Sequence, residues 1–234
     1  MKLGFFYTVF NERKAVEFSI ENSRKHYPDS PIYLVSEGVD FSYLKEDYKY
    51  LETLVVDDTM SDTFKINQIN FKDKVNQDAI KKATFAVIER LKNCIDFCKS
   101  DYIIMMDPDA YIRGTLNIPD GVKLLGSRVN QGLPYELKNV LSQIGATVIN
   151  HWGATPGIFE VKSFLKAVEK FEKLNIDIFT NSFYAMYAHD VLLPILFALI
   201  GEEETFNPDI IECYRDSNWR NKNNPLVHQF REYY

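Results

Sequence analysis

Two aspartates spaced two residues apart, Asp107 and Asp109, end the apolar run Tyr102-Ile-Ile-Met-Met106 and flank Pro108. A short, continuously apolar segment is the pattern of a strand buried on both faces. Carboxylates at its C-terminal end fall where open α/β sheets bind their ligands. Pro108 fixes its own φ and restricts Asp107, so the two acids converge in one stiff corner. Hard oxygen donors at that spacing suit Mn²⁺ or Mg²⁺, which keep several waters and take further ligands from substrate phosphates. The alternative is a pair of solvated acids at a strand end, and the surrounding elements have to decide.

Those elements alternate. Leu3 to Phe10 reads as a first strand, followed by a helix for which Asn11 is the expected N-cap. Ile32 to Ser36 and Leu51 to Val56 are further apolar strands, closed by Glu37 and by Asp57-Asp58. A long helix from about Asn76 to Cys98 carries Ala79, Ala83, Val87, Leu91, Ile95 and Cys98 at helical spacing. The strand before Asp107 comes next, then a short one from Val122 to Gly126. Ile158 to Val161 is a later strand, after which Ser163 is expected to cap a helix running to Leu174. Asn181 to Leu199 is a second helical region, and the apolar run Val191 to Ile200 within and just past it reads as a buried helix. This order predicts an α/β fold with a mostly parallel sheet. Three strands ending in acids also place a ligand crevice along one sheet edge.

Composition narrows the class. With 46% apolar and 26% charged residues the chain can bury a core, and disorder is not expected. A net charge of -6 lacks the basic surface that nucleic-acid binding needs. Cys94 and Cys98, four apart on the long helix, share a face and pack as small apolar residues; with Cys213 they make no disulfide framework, and a zinc site lacks ligands. Reduced thiols predict a cytoplasmic location. The N-terminal apolar run is a strand, too short for a membrane span, and no transmembrane segment is expected.

Taken together, the chain resembles a GT-A fold, metal-dependent glycosyltransferase over nearly its whole length. Tyr7-Thr-Val-Phe-Asn-Glu-Arg13 is similar to the segment that holds the nucleotide, and Asp107-Pro-Asp109 to the family's metal-binding Asp-x-Asp. Gly153-Ala-Thr-Pro-Gly-Ile-Phe159 resembles the small-residue strand shaping the sugar pocket. Ala188-His-Asp-Val191 resembles the site of an acidic catalytic or sugar-binding residue, and Leu226-Val-His-Gln-Phe-Arg231 the late histidine that supplies a third metal ligand. The compact layout is also like that of small glycosyltransferase domains encoded by some large DNA viruses.

The resemblance implies one domain, 1–234, with a nucleotide- and metal-binding half (1–126) and a donor-sugar and acceptor half (127–234). It implies Asp107, Asp109 and His228 around Mn²⁺ or Mg²⁺. Thr8, Val9, Asn11, Arg13, Glu37, Asp57 and Asp58 would meet a nucleoside-diphosphate sugar, most commonly of uridine. His151, Trp152, Gly153, Gly157 and His189 would face the donor sugar and a glycan or glycoconjugate acceptor. Arg128, Arg220 and Lys222, with Arg13, are candidates for the diphosphate. Asp190 is expected to take the proton from the acceptor hydroxyl in an inverting displacement. In retaining relatives that position binds the donor sugar, and His189 would then face the anomeric carbon.

Two rivals remain. A nucleotidyltransferase of the same fold usually opens with a glycine-rich phosphate loop, and Phe10-Asn-Glu-Arg-Lys14 has no glycine. A non-catalytic sugar-nucleotide binder would have little reason to keep Asp107, Asp109, Asp190 and His228 together.

Overall fold

The computed structural model describes residues 1–56, 74–127, 132–149, 156–183, 186–207, 209–211 and 224–228, apart from the side chains of 74–76 and 228. Its main sheet, among the described residues, holds β1 (Leu3–Val9), β2 (Ile32–Glu37), β3 (Leu51–Val56), β4 (Tyr102–Met106), β6 (Leu124–Gly126) and β7 (Gly157–Glu160). They lie in the order β3-β2-β1-β4-β7-β6. The first four are parallel, and β7 runs antiparallel to both β4 and β6. The chain winds outward from β1 through β2 to β3, then returns to the other side of β1 as β4. That reversal makes the β1–β4 edge the topological switch point, where such sheets take ligands beyond the strand C-termini.

Side chains of the sheet alternate between two cores. Phe6, Val35, Ile103, Met105 and Phe159 face one way and pack under α3 (Lys74–Cys98), α4 (Tyr135–Gln143), α5 (Val161–Glu172), α6 (Asp177–Thr180) and α7 (His189–Leu199). Phe5, Tyr7, Val9, Leu34, Ile104 and Met106 face the other way, toward α1 (Arg13–His26) and the short α2 (Leu44–Asp47). The result is a layer of helices on each face of a mixed, mostly parallel sheet. From Val191 onward α7 is buried all round, including Pro194 inside the helix. No helix among the described residues is long and apolar enough to cross a membrane.

Both helix caps expected from sequence are corrected. The N-cap of α1 is Glu12 and makes no side-chain cap bond, while Asn11 offers its carbonyl to Arg13 N at 2.9 Å. Ser163 lies inside α5, not ahead of it, and its hydroxyl donates to the carboxylate of Glu160, the residue at the N-cap. In both places an acid sits at the N-cap, where the positive end of the helix dipole favours it.

Where α3 crosses β1, the sheet needs a residue without a side chain. A Cβ on Gly4 would lie 2.8 Å from Cys98 Cβ and 3.0 Å from Ile103 Cδ1. The Cys98 Cβ is tied to the α3 backbone and cannot swing aside, so Gly4→Ala is expected to cost roughly 1–3 kcal/mol by overpacking. A urea-unfolding midpoint equal to wild type would contradict that contact.

Candidate functional site

The acidic corner is a tight turn. Ala110 N donates to the Asp107 carbonyl at 3.0 Å, with Pro108 at the second position, which favours its fixed φ. Both aspartates are half-buried, and the chain continues at once into β5 (Ala110–Ile112). That strand pairs with β8 (Leu226–His228) in the register Ala110↔His228, Ile112↔Leu226. The late histidine thus enters beside Asp109 through a distant strand pairing. A buried relay fixes the corner from below. Tyr7 OH on β1 meets Ser19 Oγ at 3.0 Å and Ser23 Oγ at 2.8 Å on α1, and Ser19 Oγ donates to the Ala110 carbonyl. Burial pushes the Tyr7 phenol up to about 12, so it stays protonated and holds the relay in one state.

Across the switch point, Tyr7 pairs with Met106, so Thr8 and Asp107 follow directly at the sheet edge. Thr8 shares the face of Phe6, the face covered by α7. Val9 points into the opposite core and is fully buried, so only its backbone can reach a ligand. Asn11 is exposed at the mouth. The guanidinium of Arg13 lies over the rings of Tyr43 at 5.5 Å and Phe41 at 5.9 Å, which places it on the β2 side of the crevice. Glu37 ends β2 with both carboxyl oxygens buried.

The first turn of α7 presents His189 and Asp190. The His189 ring meets Phe6 edge-on, with centroids 5.7 Å apart, and its buried Nε2 has no hydrogen-bond partner among the described residues. Burial drives its pKa down to about 4; the Asp107 carboxylate opposes the shift and Arg90 adds to it. His189 is therefore a neutral imidazole beside the acidic corner. Asp190 occupies the position where the helix dipole favours a carboxylate. Gly157, opposite Met105 and Gly126, brings β7 to the same edge.

Two charged groups here were not anticipated. Arg90 on α3 is only 8% exposed, and its charge is felt at His189. Its spacing held the signal: it falls three residues after Val87 and four before Cys94, inside the apolar stripe. Glu204 has both carboxyl oxygens buried and without hydrogen-bond partners among the described residues. Burial pushes its pKa well above the carboxylate range, and the charge of Asp190 pushes it further. Nothing in the run Glu202-Glu-Glu204 distinguished it. Asp57, Asp58, Arg128, His151, Trp152, Gly153, Arg220 and Lys222 lie outside the described residues, as does the side chain of His228. Among the described residues, no three of His, Cys, Asp and Glu group together as a metal cage.

A parallel sheet with this switch point, two helical layers and an acidic turn at its C-terminal edge defines the GT-A class of fold. Among solved structures, the chain is similar to the galactosyltransferase LgtC in complex with donor and acceptor sugar analogues. That match has a TM-score of 0.52 at 12% identity, covering 98% of this chain and 87% of the other. It is a likeness of fold. An active-site mutant of LgtC gives a TM-score of 0.47 at 13% identity, covering 98% and 87%. The bifunctional IspDF of Campylobacter jejuni gives 0.43 at 11% identity, covering 88% of this chain and 49% of the other. No family model matches the chain, and no curated protein matches it in sequence.

Proposed function

We propose that this protein is a metal-dependent glycosyltransferase that moves a sugar from a nucleoside-diphosphate sugar, of uridine first, to a hydroxyl of a glycan or glycoconjugate. The observation that carries the reading is the Ala110↔His228 register, which draws a distant histidine to the aspartate turn at the switch-point edge. Asp107 and Asp109 offer hard oxygens, and His228 is a borderline ligand compatible with Mn²⁺ beside them. A bound Mn²⁺ or Mg²⁺ would neutralise charge growing on the departing diphosphate.

The chain's own residues do the rest. Thr8, the Val9 backbone, Asn11, Arg13 and Glu37 line the base and ribose side, with Asp57 and Asp58 following β3. Arg90 adds a buried positive charge near the acidic corner, strong because little water screens it. His189, being neutral, can accept from or donate to a sugar hydroxyl without placing a second cation by the metal. Asp190 takes the acceptor proton in an inverting transfer. Residues 1–126 serve as the nucleotide and metal half and 127–234 as the sugar half, in a cytoplasmic protein.

The test is a thermal-shift screen of uridine, guanosine and thymidine diphosphates and their sugars, each with and without Mn²⁺. One diphosphate that stabilises only with Mn²⁺ supports the reading and names the base; no shift with any of them sinks it. With the donor known, Asp190→Asn is expected to lower kcat by roughly 10²–10⁴ as a lost general base, with donor binding kept. A variant that loses donor affinity but keeps kcat would make Asp190 a sugar ligand.

A further inference from the structure

At the opposite edge of the sheet lies a cleft of about 850 Å³. It opens where β1 begins, where Pro31 leads into β2, Tyr50 into β3 and Ser100 into β4. The length of β1, seven residues or roughly 23 Å, separates it from the acidic corner. A molecule held here cannot be the reacting donor.

The backbone around the cleft is held in a costly shape. Among the described residues only two that are not glycine have positive φ, Tyr50 at 55° and Lys99 at 48°, and both line it. Lys99 N closes α3 on the Ile95 carbonyl at 2.9 Å, a position glycine usually takes. Tyr50 is pinned by its carbonyl, which accepts from Ile32 N at 2.8 Å and from Arg24 Nη2 at 3.3 Å. Glycine would fit either site with less strain. The chain instead carries an aromatic ring, 58% exposed, and a cation.

The other lining groups extend that pattern. Tyr27 and Phe97 add two more rings beside Tyr50. Lys2 and Lys99 bring positive charge, and neither side chain has a hydrogen-bond or ion-pair partner among the described residues. The lone acid of the lining, Asp29, feels the charge of Arg24, which is bound to the carbonyls of Pro28, Ser30 and Lys49. Ser30, Ser100, Thr115 and Asn117 add side chains that exchange hydrogen bonds with hydroxyls.

We propose that this cleft is a second binding site, separate from the acidic corner, and that it takes a sugar phosphate. The rings of Tyr50 and Phe97 cover the apolar face of the sugar, the hydroxyl and amide side chains meet its hydroxyls, and Lys2 and Lys99 hold the phosphate.

The probe is glucose 6-phosphate, read by thermal shift and by calorimetry on the whole chain, with glucose and inorganic phosphate as half-ligands. Glucose 6-phosphate is expected to bind at millimolar concentration or below, and the half-ligands far more weakly. Tyr50→Gly and Lys99→Gly should each weaken it roughly tenfold, the order of a lost ring or charge contact. Their own melting temperatures should stay level or rise, because glycine relieves the positive φ. Asp107→Asn should bind it as wild type does. The proposal is overturned by no binding of glucose 6-phosphate, by equal binding of phosphate alone, by unchanged affinity in both glycine variants, or by loss of binding in Asp107→Asn.

Discussion

Asp109→Ala is expected to abolish Mn²⁺-dependent stabilisation by the nucleoside diphosphate and to lower sugar transfer by roughly a hundredfold or more, the scale of a lost charge-stabilising contact. The turn offers two carboxylates, and half of that oxygen set goes with one substitution. The fold should not go with it. Ala110 N bonds the Asp107 backbone carbonyl, which alanine at position 109 leaves in place, and the Ser19 hydroxyl still reaches Ala110. Without metal, the melting temperature of the variant is expected near wild type, since substitutions away from core features usually change stability by no more than about 0.5 kcal/mol. Transfer at the wild-type rate in saturating Mn²⁺ would remove Asp109 from the metal site. An unfolded variant would show that the acid supports the β4–β5 turn instead.

A loss of stability in mild acid is the second large effect. The folded pKa of His189, about 4, lies below its ordinary 6.5. Between those values the unfolded chain takes up a proton that the folded chain refuses. Stability therefore falls as pH drops from 6.5 toward 4, by up to roughly 3 kcal/mol for a shift of that size. Glu204 slopes the other way, because its folded pKa is raised. Its stabilising contribution is present below the ordinary carboxylate pKa and is lost as pH rises from there toward the folded value. Urea unfolding in chelator across this range, on wild type and His189→Gln, separates the two. The variant should lose most of the acid slope. Parallel slopes would place the titration elsewhere.

Strands buried on both faces were the most legible part of the fold. Ile32–Glu37 and Tyr102–Met106 end within a residue of the ends of their apolar runs, because a central strand of a parallel sheet has no polar face to blur the pattern. The helix Tyr135–Gln143 was not legible. It buries only Leu137, Val140 and Leu141, and its N-cap is Pro134, which has no capping side chain. β8 is three residues long, too short for any periodicity, so only resemblance pointed to His228. Arg90 and Glu204 stayed hidden for a related reason. A charge is read from sequence as surface, and only packing reveals that these two are enclosed.

The pairing of β5 with β8 also sets an order in time. Asp107 and Asp109 leave the ribosome long before Leu226–His228 are made. The β3-β2-β1-β4 portion of the sheet draws only on residues up to Met106, whereas the strand that flanks the aspartate turn comes from far downstream. A chain cut before Leu226 keeps the residues of β1 to β4 and of the acidic corner but lacks the partner of β5. Under the proposed reading, the histidine that completes the metal site is made last, and a C-terminal cut before Leu226 removes it first.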